Sequence, residues 1–193
     1  CGLALSATAN ADLIVDEGEG GSIPNSAKTN DVIGDSSASQ PAGFGANLYS
    51  DGYTNVTFEF LGKEASFDNV FKVKDSEVFR NSTAQQGDSY TTTFSDGTLD
   101  FAFVSGGGFG TVFNGSNPDE ANDNQDPNFF AAEVIGDGSE GLFLALDDNG
   151  ANEDDNHDDM IIKVTASKVP EPGTLALLGL GLAGLGMSYR RRS

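Results

Sequence analysis

The chain has 193 residues, with 30 Asp and Glu against 10 Lys and Arg, and a formal net charge of −20. That length fits one ordinary domain with processing segments at its ends, and so acidic a balance excludes nucleic acid as a partner, because phosphate binding runs on Lys and Arg. One Cys, one His and no Trp exclude a disulfide scaffold and any Cys/His metal centre such as a zinc finger. Hydrophobic residues at 37 %, with 14 Phe, suffice for a core. The 25 Gly and many Asn, Asp and Ser point to turns and β structure rather than helix.

The chain opens on Cys1-Gly-Leu-Ala-Leu-Ser-Ala-Thr-Ala-Asn-Ala11, small and apolar and ending in Ala9-Asn10-Ala11. This matches the tail of a secretory signal peptide with an Ala-x-Ala cleavage site. Residues 1–11 are therefore expected to be a signal-peptide remnant, with Asp12 the first mature residue. Without an initiator Met or a basic n-region, the true start is expected upstream. The alternative makes Cys1 the lipidated first residue of a lipoprotein. Both readings export the chain, and both leave the lone thiol lost or modified rather than catalytic.

Residues 12–169 carry 29 acids and 7 bases and are predicted to form one extracellular antiparallel β-sandwich, with jelly-roll topology as an option. Asp16 to Pro41 is rich in Gly, Ser, Asn and Asp and reads as a long loop, with at most a short strand at Asp31-Val32-Ile33. Val56, Phe58 and Phe60 then alternate along a strand, as do Phe71 and Val73. Tyr90–Phe94, Leu99–Phe103, Phe130–Ile135, Leu142–Leu146 and Met160–Val164 complete the set. Asp51-Gly52, Asp96-Gly97 and Asp137-Gly138 are turn signals between them. Gly106-Gly107-Gly108 reads as a flexible hairpin connection, since a phosphate cradle would want a following Lys and helix. Asn114 to Asn128 reads as an exposed loop. The N-x-S/T triplets at Asn55, Asn81 and Asn114 are attributed to chance in an Asn- and Ser-rich chain.

The densest constellation lies between the last two strands. Asp147 to Asp159 holds 7 acids in 13 residues with no Lys or Arg. Such repulsion costs stability unless cations share it, and Ca²⁺ takes about 6–8 oxygen ligands from carboxylates and carbonyls. Asp147, Asp148, Asn149, Asp155, Asp158 and Asp159 are the candidate ligands, near the fixed strand ends or the loop centre. The EF-hand template fails, because counting from Asp147 puts Asn152 at the Gly position and Asp158 in place of the last Glu. The competing reading is a solvated hairpin loop of an acidic secreted protein, with His157 a solvated loop residue rather than a general base. Tyr49, Tyr53 and Tyr90 are the candidates for stacking on sugar rings in a chain without Trp.

From Gly173 to Tyr189 the chain runs uncharged for 17 residues and closes with Arg190, Arg191 and Arg192. That is the lower end of the ~17–25 residues needed to cross a bilayer, and the arginines would hold the C-terminus in the cytoplasm. A C-terminal transmembrane helix is therefore expected. Gly179, Gly181 and Gly184 spell G-x-G-x-x-G inside it, but no preceding strand or βαβ unit accompanies them, so no dinucleotide site is read.

Val169-Pro170-Glu171-Pro172-Gly173, the Gly/Leu/Ala helix and the terminal Tyr-Arg-Arg-Arg together resemble the PEP-CTERM sorting signal of Gram-negative bacteria. The resemblance spans Val169 to Ser193. It implies recognition by an exosortase, a membrane-embedded cysteine transpeptidase that cleaves near Pro170, Glu171 and Pro172, with the helix in residues 170–193 a transient inner-membrane anchor. It also implies a setting of exopolysaccharide production and biofilm or floc formation. Two prolines keep the segment extended and unpaired, which suits a protease cleft. A second resemblance, to choice-of-anchor surface domains, rests on Phe60-Leu-Gly-Lys-Glu-Ala65 with Phe67 and Asn69, and on Leu146–Gly150 followed by Asn156–Met160. It implies a fold and a surface location without a reaction.

The combined expectation is a non-enzymatic protein of the cell surface or extracellular matrix with a structural or adhesive role. Ca²⁺ would rigidify its acidic loop and could bridge it to anionic exopolysaccharide. A carbohydrate-binding module is the alternative, marked by exposed Tyr or Phe on one sheet face. A polysaccharide hydrolase comes third and requires two carboxylates converging in a cleft away from the loop.

Overall fold

The computed structural model describes residues 13–16, 43–44, 47–117, 126–134, 141–149 and 157–169. The strands run β1 (Leu13–Asp16), β2 (Gly43–Phe44), β3 (Asn47–Ser50), β4 (Thr54–Gly62) and β5 (Val70–Val73). They continue with β6 (Ser76–Arg80), β7 (Ser89–Phe94), β8 (Gly97–Thr98), β9 (Phe101–Val104) and β10 (Thr111–Phe113). The last three are β11 (Asn128–Val134), β12 (Gly141–Asp147) and β13 (Met160–Lys168). Among the described residues there is no helix, and every pairing is antiparallel. The expected C-terminal helix, the signal remnant and the short strand at Asp31-Val32-Ile33 lie outside the described residues.

β4 follows the period-2 rule. Val56, Phe58 and Phe60 are buried, while Asn55, Thr57 and Glu59 are half-exposed. It belongs to a six-stranded sheet ordered β2-β11-β12-β13-β4-β7. A four-stranded sheet, β10-β9-β5-β6, packs against the buried face of the first. Phe58 meets Phe71 with ring centroids 5.2 Å apart, and Phe103 meets Phe129 at 5.6 Å, so rings from both sheets interdigitate as in a sandwich. A three-stranded sheet, β1-β3-β8, adds Leu48 to that core, with Leu13 and Val15 packed against it. Leu142–Leu146 of β12 and Met160–Ile162 at the start of β13 read as continuous apolar runs because both of their faces are covered there. Leu142, Leu144, Leu146 and Ile162 join the main core, and Phe143, Ala145 and Ile161 are buried on the other side.

Three local expectations need correction. The run Leu99–Phe103 is not one strand, because Leu99 and Asp100 separate β8 from β9. The ends of the predicted exposed loop Asn114–Asn128 are anchored. Asn114 Oδ1 accepts from Leu48 N at 2.8 Å, and its Nδ2 donates to Leu48 O and Leu99 O at 2.8 Å each. Asn117 pairs with both backbone groups of Phe129, at 2.6 and 3.0 Å, as a strand residue would. The glycine run 106–108 does connect β9 to β10, but its first two members are packed rather than free. A Cβ on Gly106 would lie 2.5 Å from the backbone N of Asp68, and one on Gly107 would lie 2.7 Å from the Phe109 ring. Only glycine permits that approach.

Candidate functional site at the roots of the acidic loop

The hairpin β12–β13 brings Leu146 opposite Met160, so the acidic segment starts and returns at one edge of the sandwich. There the solvated-loop reading fails. Asp147 is 1 % exposed, Asp148 and Asp158 are 2 % exposed, and His157 is fully buried. Carboxylates taken out of water need partners of their own, and these roots have them. Asp148 N donates to Asp159 Oδ2 at 2.8 Å, closing the two roots on each other. Asp159 N donates to Leu146 O at 3.2 Å, and Asn149 N to Asp147 Oδ1 at 3.1 Å.

The neighbouring sheet completes the cluster. Asn69, just ahead of β5, donates from Nδ2 to Asp148 Oδ2 at 2.6 Å and accepts Gly106 N on Oδ1 at 2.8 Å. Asn81, just after β6, donates from Nδ2 to Asp159 O at 3.0 Å and Phe67 O at 3.2 Å, while its N donates to Asn69 O at 3.0 Å. Glu64 N donates to Asp158 O at 2.8 Å. The stretch from Glu64 to Asn69 is therefore joined side by side with the roots of the acidic segment. His157 adopts a φ of 51°, lies with its ring 5.1 Å from Phe130, and holds Nε2 2.9 Å from Asn128 Oδ1. This is a structural position, not the solvated one read from sequence.

Burial sets the electrostatics. It pushes the Asp148 carboxyl upward against the bond from Asn69. Asp159 rises to about 7, first through burial and then through the charges of Asp148, Asp147 and Asp158, with the Asp148 N–H bond opposing. Full ionisation of the cluster is thus opposed by its own geometry, a condition that a bound cation relieves.

The donor set is all oxygen, which suits a hard cation such as Ca²⁺. Two amide oxygens, Asn81 Oδ1 and Asn149 Oδ1, are buried and accept no hydrogen bond among the described residues. Those residues contain no group of three or more Asp, Glu, His or Cys side chains converging as metal ligands do. Among the described residues the roots therefore fit a hard cation only in part. Asp155, at the centre of the acidic segment, lies outside the described residues, as do Pro170, Glu171, Pro172, Arg190, Arg191 and Arg192.

The loop acids are legible in the sequence, whereas the roles of Asn69, Asn81 and Asn128, at or beside distant strands, are not. Asn81, which heads one of the N-x-S/T triplets, holds a structural position through its side-chain and backbone bonds. The Tyr candidates do not form a row. Tyr53 is exposed in the β3–β4 turn, Tyr90 lies on edge strand β7, and Tyr49 is half-buried in β3.

No curated protein and no solved structure matches the chain. Among the described residues no helix is long and apolar enough to cross a membrane. Residues 168–192 match the family model described as the PEP-CTERM protein-sorting motif. The chain carries that motif, the mark of an exported protein sorted by an exosortase.

Proposed function

We propose that this chain is a non-catalytic protein of the cell surface or extracellular matrix, whose β-sandwich serves a structural or adhesive role once exosortase has processed the C-terminus. The observation that carries the reading is the sorting motif at 168–192, which begins at the end of β13, the last strand among the described residues. In this reading residues 1–11 are the end of an export signal, and the segment from Pro170 to Ser193 is the sorting signal, held in the inner membrane until cleavage with Arg190, Arg191 and Arg192 as the cytoplasmic stop. Ca²⁺ braces the acidic loop through Asp147, Asp148, Asn149, Asp155, Asp158 and Asp159, and the excess of acids lets the same ion bridge to anionic exopolysaccharide of a biofilm. The buried, mutually repelling roots support this assignment.

Replacing Pro170, Glu171 and Pro172 with Ala, in a host that carries an exosortase, is expected to leave the protein in the membrane fraction while the parent chain is released. Equal release of both forms would contradict the sorting role. A second reading, a carbohydrate-binding module, is favoured by one exposed aromatic residue, Phe113, on the outer face of the four-stranded sheet.

A further inference from the structure

The register of the four-stranded sheet places Phe113 of β10, Ala102 of β9 and Lys72 of β5 in one cross-strand row. The row faces away from the core, since Phe101 and Phe103, on either side of Ala102, belong to the core cluster and Ala102 does not. Phe113 is 51 % exposed, whereas Ala102 is buried between its larger neighbours. The small residue in the middle leaves a shallow cleft of about 100 Å³, lined also by Thr111, Asp75 and Asp100. That is smaller than the ~300–1,000 Å³ of sites that enclose a small molecule, and it suits one ring lying flat on the sheet.

Asp75 reaches the cleft from a tight turn. Lys74 and Asp75 form the β5–β6 connection with φ of 50° and 61°, a conformation that favours Gly, Asn and Asp and is costly at Lys74. Lys74 has a structural use, since its Nζ donates to Thr93 O at 2.7 Å on edge strand β7 and lies 4.7 Å from the Phe94 ring centroid. Asp75 and Asp100 are exposed at the rim of the cleft, and their carboxylates make no hydrogen bond or ion pair among the described residues, so both are open to a ligand.

We propose that this cleft binds one neutral pyranose residue of a polysaccharide chain. The C–H face of the sugar packs on the Phe113 ring. The Asp75 and Asp100 carboxylates accept from its hydroxyls, and Lys72 Nζ donates to another, charge-assisted bonds of the stronger kind. Two carboxylates in so small a space repel uronate and sulfated chains, so the ligand is uncharged. This inference rests on the chain being an exported, matrix-facing protein, and it locates the contact in a place separate from the acidic loop.

The test is isothermal titration of the purified full chain with cellohexaose, laminarihexaose and mannohexaose, and with polygalacturonate as the anionic comparison. At least one neutral hexaose is expected to bind with a millimolar Kd, and polygalacturonate is not expected to compete for the cleft. Ala102→Leu, which fills the cleft, and Asp75→Gly are each expected to weaken binding about tenfold, the loss of one good contact. Asp75→Gly is expected also to raise the melting temperature, because glycine relaxes the turn, and this excludes misfolding as the cause. The proposal is overturned if no neutral hexaose binds, if binding survives both substitutions, if polygalacturonate competes for the cleft, or if the hexaose is cleaved. Each of these outcomes leaves the export assignment standing, because release of the chain is measured independently.

Discussion

Chelating divalent cations is expected to lower the melting temperature of this domain, and to lower it more at pH 8 than at pH 5. Asp159 is the reason. Its carboxyl is held at about 7 in the fold against an ordinary 3.8, with burial the largest cause. Between those two values the folded chain binds more protons than the unfolded chain, so stability of the metal-free protein falls as pH rises through that window. The drop is on the order of 2–4 kcal/mol once Asp159 is ionised, allowing for its partial exposure. In the proposed role, Ca²⁺ would replace the proton and offset the repulsion among Asp147, Asp148, Asp158 and Asp159. At a hundredfold excess over its Kd it stabilises by roughly 2.7 kcal/mol, and the pH slope flattens. Asp158→Asn with Asp159→Asn should remove the part of the slope that Asp159 contributes, and the response to EDTA, because amides cannot ionise. Calorimetry at the two pH values, with millimolar Ca²⁺ or with EDTA, reads all of this. Identical melts in the four conditions would rule out the Ca²⁺ role.

Phe71→Ala is expected to cost about 3–5 kcal/mol, the range for truncating a buried aromatic residue. Phe71 is fully buried in β5, and its ring meets Phe58 across the sandwich at 5.2 Å. It also meets Phe101 at 5.7 Å and Phe103 at 4.9 Å within its own sheet. Every one of those rings loses contact when it goes. For a domain of this size the melting temperature should fall by roughly 10 °C, at about 2–4 °C per kcal/mol. Exposed Phe113 provides the comparison, since Phe113→Ala leaves the core intact and should shift the melt little. Similar losses for the two substitutions would mean that the aromatic rings do not hold the sheets together.

The strands were legible where period-2 alternation carries large apolar residues. β4 shows this best, because Val56, Phe58 and Phe60 can face only one way. β1 was hidden, since Leu13-Ile14-Val15 sits between a signal-like stretch and a polar segment, and its partner β3 is reached only through the fold. The end of β13 was hidden as well. Thr165 to Lys168 is polar and reads as loop, yet it pairs with Thr57 to Thr54 of β4 across a sheet. Pairing of that kind is decided by the partner strand rather than by the segment itself.

The candidate site was legible in its acids and illegible in its burial. A run of carboxylates reads as solvated because charge alone favours water, and only tertiary packing can take Asp147, Asp148 and Asp158 out of it. The bond that binds Asp148 to Asn69 spans 79 positions, beyond any local pattern. The Phe113 cleft was missed for a related reason. Its row of Phe113, Ala102 and Lys72 exists only in the register of three strands.

The central claim is that this chain is exported and cut at its sorting motif, and the intact mass of the protein recovered outside the cell tests it most directly. A mass ending near Pro170-Glu171-Pro172, without the apolar segment and without Arg190, Arg191 and Arg192, is the expected result. An extracellular form that still carries the whole sequence through Ser193 would contradict it.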